Sequence, residues 1–411
     1  MIALIDKCTY ILGTLLVICV GLSLGGQGCP NLPRDCYCDK TFVNCSRMGI
    51  SKLPAGIPRN TTTLIINMNS FSEIPNNMFS AFPELQQLDI SSNQITSGGL
   101  YPGSFAGLPK LSNLDLGYNY LDQVPKGLPK TLTYLYLLQT LNSTTLAEDA
   151  FKGLKQLQHL DISFNKLESL PRNLLKDQSN LQLFRADWNP IPTPGLPDGI
   201  FLHLTKLGDL SMRGCKLSKM IPMLPKTLQN LDVAFNQLTY VPVDCLAGMH
   251  QLQTLAFWNN SVTGIADGAF RDLESLTIFD ATSCALTTLT DDTFKGLVNV
   301  KTLYIDENKI SNISANAFAP LKNLDALWMT INSVAELNMQ TLNGTGILPK
   351  LSTAYLWANP WKCDCHLRWL REMVDVTPRF TIDAPHLMIC HEPPAMKGKT
   401  WDTLKPSDFK C

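Results

Sequence analysis

LQHLDISFNKL, running from Leu157 to Leu167, decides how this chain folds. Its apolar residues and its asparagine follow the spacing L-x-x-L-x-L-x-x-N-x-L. The same pattern returns as LQQLDISSNQI (Leu85 to Ile95), LSNLDLGYNYL (Leu111 to Leu121), LQNLDVAFNQL (Leu228 to Leu238) and VKTLYIDENKI (Val300 to Ile310). Weaker copies fill the intervals, so that thirteen slots are held by Asn69, Asn93, Asn119, Thr140, Asn165, Asn189, Cys215, Asn236, Asn260, Cys284, Asn308, Asn332 and Asn359. Successive slots lie 21 to 27 residues apart. A period of that size means stacked units, each contacting only its neighbours.

The residue types follow from that geometry. In each unit the L-x-L segment alternates at period two, which sends the leucines inward and the residue between them outward on a short parallel strand. Beyond the strand the asparagine is expected to turn inward, where its amide can both donate to and accept from unpaired backbone. Each such group left unsatisfied would cost roughly 1–3 kcal/mol. Thr140, Cys215 and Cys284 are weaker substitutes. The returning halves carry a second signature, as in SFAGLPKL (Ser104 to Leu111), AFKGLKQL (Ala150 to Leu157), AFRDLESL (Ala269 to Leu276) and AFAPLKNL (Ala317 to Leu324), whose phenylalanine and leucine should fill the convex side. Two 21-residue units instead carry GLPKTLTYL (Gly127 to Leu135) and MLPKTLQNL (Met223 to Leu231), and there the curvature should tighten. The expected fold is α/β: a leucine-rich-repeat solenoid, bent into a horseshoe of about thirteen repeats with a parallel sheet on the concave side and disulfide caps at both ends.

Outside the repeats the chain divides simply. Residues 1–28 have the form of a secretory signal, with Lys7, the apolar run TYILGTLLVICVGL (Thr9 to Leu22) and small residues after it. The apolar run is shorter than the ~20 residues of a spanning helix, which disfavours a retained anchor. Residues 29–60 form an amino-terminal cap, 61–361 the repeats and 362–411 a carboxy-terminal cap. Each cap holds four cysteines: Cys29, Cys36, Cys38 and Cys45 in the first, Cys363, Cys365, Cys390 and Cys411 in the second. Even clusters in an exported chain are disulfide frameworks, with three possible connectivities each. Their task is to cover the apolar ends of an open stack. A zinc site drawn from Cys363, Cys365, His366, Cys390 and His391 is the weaker alternative in an oxidising compartment. Cys215 and Cys284 are expected as buried ladder thiols. Cys245 leaves an odd count, as a small buried residue or as a disulfide bridge to a second copy.

Lys plus Arg number 34 against 35 Asp plus Glu, giving a net charge of -1, and no basic tract suggests nucleic acid. None of the six histidines sits in a nucleophile or metalloprotease motif, and there is no phosphate loop, so no catalytic residues, metal or cofactor are expected. Sequons occur at Asn44, Asn60, Asn142, Asn259, Asn312 and Asn343. Glycans are expected at Asn60, Asn142, Asn312 and Asn343, since Asn259 falls on the anticipated sheet face and Asn44 beside a bridged cysteine.

The stretch CPNLPRDCYCDKTFVNCSRMGISKLPAGIP (Cys29 to Pro58) resembles the first cap of vertebrate-type extracellular leucine-rich-repeat proteins, especially the variable lymphocyte receptors of jawless fish. NPWKCDCHLRWLREM (Asn359 to Met373) is similar to the terminal cap shared by those receptors, Slit, Nogo receptors and Toll-type ectodomains. Two departures limit the likeness. Cys365 to Cys390 is short for the terminal-cap loop of the lymphocyte receptors, and the sequence stops at Cys411, where those receptors go on into a threonine-rich stalk. The mixture of 21-residue and longer units also resembles the small leucine-rich proteoglycans, whose terminal cysteines are arranged differently.

The resemblance implies ligand capture on the concave sheet. There the residue between the strand leucines includes Asp89, Asp115, Asp161, Asp232 and Asp280, then Arg185, Tyr304, Trp328 and Tyr355. Trp188, Trp258 and Trp357 follow their strands closely. Exposed Trp, Tyr and Arg favour contact with a partner, so Arg185, Trp188, Trp258, Tyr304, Trp328, Tyr355 and Trp357 are the candidate ligand-binding residues. A single aromatic strip is expected from Trp258 to Trp357, beside an acidic middle. The expected activity is that of a secreted, non-enzymatic recognition protein for extracellular protein or glycan ligands, of innate-immune or antigen-receptor type. The alternative is a matrix, guidance or adhesion protein with a fixed endogenous partner. Membrane attachment is expected only through a partner or through an anchor beyond Cys411.

Overall fold

A computed structural model describes residues 29, 32–33, 35–342, 348–377 and 379–411. The signal segment therefore lies outside the described residues. A sixteen-stranded sheet runs the length of the molecule. Its thirteen repeat strands begin with Thr63–Ile65 and Gln87–Asp89 and end with Ala326–Trp328 and Thr353–Tyr355, each three residues long and parallel to the next. The strand Phe42–Asn44 of the first cap adds a fourteenth parallel rung, and Tyr37–Asp39 closes that end antiparallel to it. Thr381–Ile382 of the second cap extends the other end. The period-two rule holds along the sheet: the middle residue of every repeat strand is buried, and the first and third look outward save Ser211, which is covered by its bond to Asp187.

The asparagine ladder is built as the spacing predicts. Asn93 Nδ2 donates to the Ile90 carbonyl of its own turn at 3.0 Å and to the Ile66 carbonyl of the preceding turn at 3.2 Å, while its Oδ1 accepts from Phe71 N at 3.0 Å. Asn189 repeats this with the Ala186 and Ile162 carbonyls, both at 2.9 Å, and with Leu167 N at 3.1 Å. One buried amide thus ties two turns together. At the substituted slots only the donor survives: Thr140 Oγ1 donates to Leu116 O at 2.9 Å, and Cys215 Sγ lies 3.2 Å from Ala186 O. At Thr140 the missing acceptor is replaced by its own carbonyl, which takes Leu121 N at 2.9 Å.

Convex segments consist mainly of turns and two-residue strand pairs, such as Thr288–Leu289 with Asn312–Ile313. The described α-helices are Met339–Leu342 and Arg368–Val376. Phenylalanines of the A-F-x-x-L motif stack inside: Phe270 lies 5.1 Å from Phe279, and Phe294 lies 5.9 Å from Phe279 and 5.8 Å from Phe318. The two short units share one device, a threonine hydroxyl donating to the strand-entry leucine of the turn before, Thr131 to Leu111 O at 2.6 Å and Thr227 to Leu207 O at 2.8 Å.

Both caps are disulfide-bonded, Cys29–Cys38 with Cys36–Cys45 and Cys363–Cys390 with Cys365–Cys411. The bonded sulfurs are not zinc ligands, which removes the metal alternative for the second cap. Trp361 is fully buried there and donates its indole N–H to Leu356 O at 3.0 Å. Cys245 is half-buried, its thiol 3.1 Å from Pro242 O and pushed up to about 12 by burial. Little thiolate is then present at neutral pH for exchange with another chain.

Asn189→Ala should lower the unfolding free energy by about 2–3 kcal/mol, because it strands buried donors and acceptors in two turns. Cys215→Ala, which removes one weak donor, should cost roughly 1 kcal/mol. Urea titration followed by circular dichroism measures both, and equal costs would count against the ladder as the principal tie.

Candidate functional site on the concave face and its rim

Two outward columns line the concave sheet, the first and third residues of each strand. The third-residue column holds the aspartates, and their carboxylates serve the turns first. Asp89 accepts from Ser91 N at 3.0 Å, Asp115 from Gly117 N at 2.8 Å, Asp161 from Ser163 N at 2.8 Å, Asp232 from Ala234 N at 3.0 Å and Asp280 from Thr282 N at 2.9 Å. Each one closes the strand into the asparagine turn. At Ser211 and Trp328, where another residue occupies the column, the preceding turn supplies the acceptor. Asp187 takes Arg213 N at 2.8 Å and Ser211 Oγ at 2.6 Å, and Asp306 takes Thr330 N and Oγ1, both at 2.7 Å. The repeated aspartate is therefore a turn residue as much as a surface charge.

Burial sets the chemistry of this column. It pushes the Asp115 carboxyl up to about 7, helped by the Asp89 charge on the adjoining rung. Two residues past their strands, Asp187 and Asp306 are likewise pushed by burial to about 6, against the hydrogen bonds that hold their charged forms. Arg185, in register with Asp161, partly offsets the repulsion. It lies two strands from Tyr134 and one from His159, whose rings are 4.3 Å apart. Tyr134 and His159 belong to the first outward column, which the same period-two rule exposes and which sequence reasoning confined to the L-x-L residue passes over.

The candidate aromatics separate into two groups instead of one strip. Tyr304, Trp328 and Tyr355 are cross-strand neighbours in register, with centroids 5.8 Å apart for the first pair. Trp328 and Tyr355 stack nearly parallel, 3.5 Å apart at 8°. The second group lies past the strand ends: Phe164 to Trp188 at 6.1 Å, Trp188 to Phe235 at 5.2 Å and Phe235 to Trp258 at 4.3 Å. Trp258 belongs to this rim row because, two residues beyond its strand, the chain has already left the sheet. For the same reason Trp357 packs half-buried against the core.

The rim row depends on an unusual backbone position. The residue before each ladder slot adopts left-handed φ, including Tyr118 (54°), Phe164 (58°), Trp188 (56°), Phe235 (54°) and Ile331 (52°). Bulky residues seldom tolerate that region, yet Phe164 and Trp188 remain 50% and 42% exposed. Trp188 and Phe235 belong to turns separated by a third, and they meet because that turn places Gly214 between them. A Cβ on Gly214 would stand 2.4 Å from Trp188 Cε3. Arg213 completes the row, its guanidinium 5.4 Å from the Phe235 ring, 5.1 Å from Trp258 and 3.5 Å from the Asp232 carboxylate. Of the sequons, Asn60, Asn142, Asn259 and Asn312 are exposed and Asn44 half-buried with its Oδ1 on Ser46 N, while Asn343 lies outside the described residues.

A disulfide-capped stack of asparagine-linked turns with an open sheet face defines an extracellular repeat protein. The chain belongs to the leucine-rich-repeat family, whose profile matches residues 59–121, 130–191, 226–286 and 282–334. Among curated relatives it is similar to Podocan of Mus musculus, 29% identical over 248 residues that make up 60% of this chain and 36% of Podocan. It is also similar to the leucine-rich repeat transmembrane protein FLRT2 of Mus musculus, 26% identical over 297 residues, 61% of this chain and 41% of FLRT2. The chain thus spans less than half the length of these relatives. Among solved structures, a chain of the octameric complex of Latrophilin 3, Unc5D and FLRT2 superposes with a TM-score of 0.62 at 24% identity, covering 91% of this chain and 98% of that one. The Drosophila Toll–Spatzle complex gives 0.61 at 18% identity, covering 85% and 58%. At these identities the structural likeness establishes the fold alone.

Two substitutions test the site's construction. Gly214→Ala should displace the Trp188 ring and destabilise by about 1–3 kcal/mol, with loss of the near-ultraviolet dichroism of the stacked row; an unchanged spectrum would refute the bridging role. Asp115→Asn keeps an acceptor for Gly117 N. Because the folded carboxyl titrates above its unfolded value, its stabilising contribution is full below about pH 4 and lost as pH rises through 7. The variant should therefore gain about 1–2 kcal/mol over the parent at pH 8 and almost nothing at pH 4, which paired denaturation curves will show.

Proposed function

We propose that this chain is an extracellular, non-enzymatic binding protein of the adhesion, guidance or matrix kind, which holds a fixed endogenous protein partner on the concave face. The observation that carries the proposal is the Tyr304–Trp328–Tyr355 ladder: three large rings in register on adjacent strands, only partly covered, at the end of the face next to the second cap. A protein gains no stability from showing such rings to water, whereas buried Trp and Tyr dominate the energetics of interfaces. Four cap disulfides suit an exported chain. The sequence likeness to FLRT2, and the fold shared with a complex of FLRT2 with Latrophilin 3 and Unc5D, favour a protein ligand. An innate-immune or antigen-receptor role rests on the cap motifs and on the fold shared with Toll, and is the second reading. Secretion and glycans at Asn60, Asn142, Asn312 and Asn343 belong to the proposal as well.

Screening the immobilised protein against a panel of extracellular domains by surface plasmon resonance tests it. The double variant Trp328→Ala/Tyr355→Ala should weaken the partner found by at least about tenfold, while the convex control Lys152→Ala leaves it unchanged. Binding indifferent to the concave pair would overturn the assignment of the face.

A further inference from the structure

The partner's chemistry can be taken further, on the footing of the concave-face reading above. The aromatic ladder is flanked by carboxylates at both ends. Asp280 stands in register with Tyr304 on the adjoining strand. At the other end Asp383 follows the cap strand, its backbone N–H bonded to Ala354 O at 3.0 Å; together with burial, its charge holds the Tyr355 phenol above its ordinary value. Four strand steps separate the two carboxylate rungs, roughly 19 Å at ~4.8 Å per strand. About six residues of extended chain cover that span.

The molecule displays in miniature what such a combination holds. On the rim, the Arg213 guanidinium lies over the Phe235 and Trp258 rings and beside the Asp232 carboxylate, all on neighbouring turns. A planar cation suits both partners at once, since it stacks on a ring face while its N–H groups reach a carboxylate. The ladder has the same parts on a larger scale: stacked rings whose two outer faces, on Tyr304 and Tyr355, are each turned toward an acid rung. The charge of the whole face agrees. Asp89, Asp115, Asp161, Asp232 and Asp280 share one column with the single cation Arg185, and the Asp89 and Asp161 charges add to the burial that raises the Asp115 carboxyl, whereas the chain as a whole is balanced at -1. A cationic ligand would relieve that repulsion, and an anionic one would add to it.

We propose that the Tyr304–Trp328–Tyr355 ladder seats an arginine-bearing extended segment of a partner protein, with guanidinium groups stacked on the outer faces of Tyr304 and Tyr355, beside Asp280 and Asp383, and Trp328 holding the two tyrosines in place between them.

Titration calorimetry of the full chain with octa-arginine, octa-lysine, octa-glutamate and the neutral glycan cellohexaose tests this, at low and physiological salt. Octa-arginine should bind several-fold tighter than octa-lysine, and octa-glutamate and cellohexaose not measurably. Trp328→Ala should weaken octa-arginine about tenfold, Trp328→Phe much less, and Asp383→Asn should flatten the salt dependence. Thermal melting confirms that each variant is folded. Equal binding of the two cationic peptides, unaffected by Trp328→Ala, would overturn the proposal in favour of diffuse attraction. Trp328-dependent binding of cellohexaose without octa-arginine would overturn it in favour of a sugar site. Failure here is separable from failure of the broader function. A protein partner that is lost with Trp328→Ala/Tyr355→Ala but not displaced by octa-arginine refutes the arginine segment alone, whereas a partner indifferent to the concave variants refutes the concave seat itself.

Discussion

Everything in this molecule hangs on the way backbone polar groups are satisfied in the few residues after each strand. A three-residue strand cannot hold a turn in place by itself, and the chain must leave the sheet at once through a left-handed residue. The buried asparagine that follows, as at Asn93 and Asn189, donates to two turns and accepts from one of them. Without it the exit from the strand would leave peptide groups unpaired in a dry interior, at a cost comparable to the whole margin of stability of many domains once summed over the ten turns that carry it. The leucines fill the space that this arrangement encloses. The caps keep its two open ends from water.

Seen this way, the surface and the scaffold are not separate sets of residues. The aspartate between two strand leucines looks outward and bonds the next turn in the same gesture, so its charge reaches the face as a by-product of chain geometry. At Trp328 a neighbouring turn assumes that duty, Asp306 accepting from Thr330, and the column carries an indole in place of an aspartate. Aromatic and acidic positions on the face are thus linked through the hydrogen bonding beneath them.

The ladder, the strand alternation and the cap clusters were legible in the sequence because each depends on local spacing and residue type. Asn165, Leu160 and the paired cysteines could be placed by counting alone. Disulfide connectivity could not, since the same spacing permits several pairings. The aromatic groups were legible as residues but not as a surface. Trp258 and Tyr304 look adjacent in a column written from the motif, yet one stands on a strand and the other beyond a strand's end. That difference is made by a change in backbone direction which no side-chain pattern records. The turn-closing role of Asp89 and its counterparts was hidden for a related reason: an outward-facing carboxylate gives no sign, in sequence, of which amide it accepts from.

Trp188 has a consequence of a different kind. A repeat protein is close to a one-dimensional chain in which each unit feels only the next, so that fraying at one end passes inward one unit at a time. By lying across Gly214 to reach Phe235, Trp188 introduces a next-nearest-neighbour coupling into that chain. The turns on either side of Gly214 are thereby coupled directly, beyond what each shares with the turn between them. The centre gains a cooperative block that the periodic motif alone does not contain.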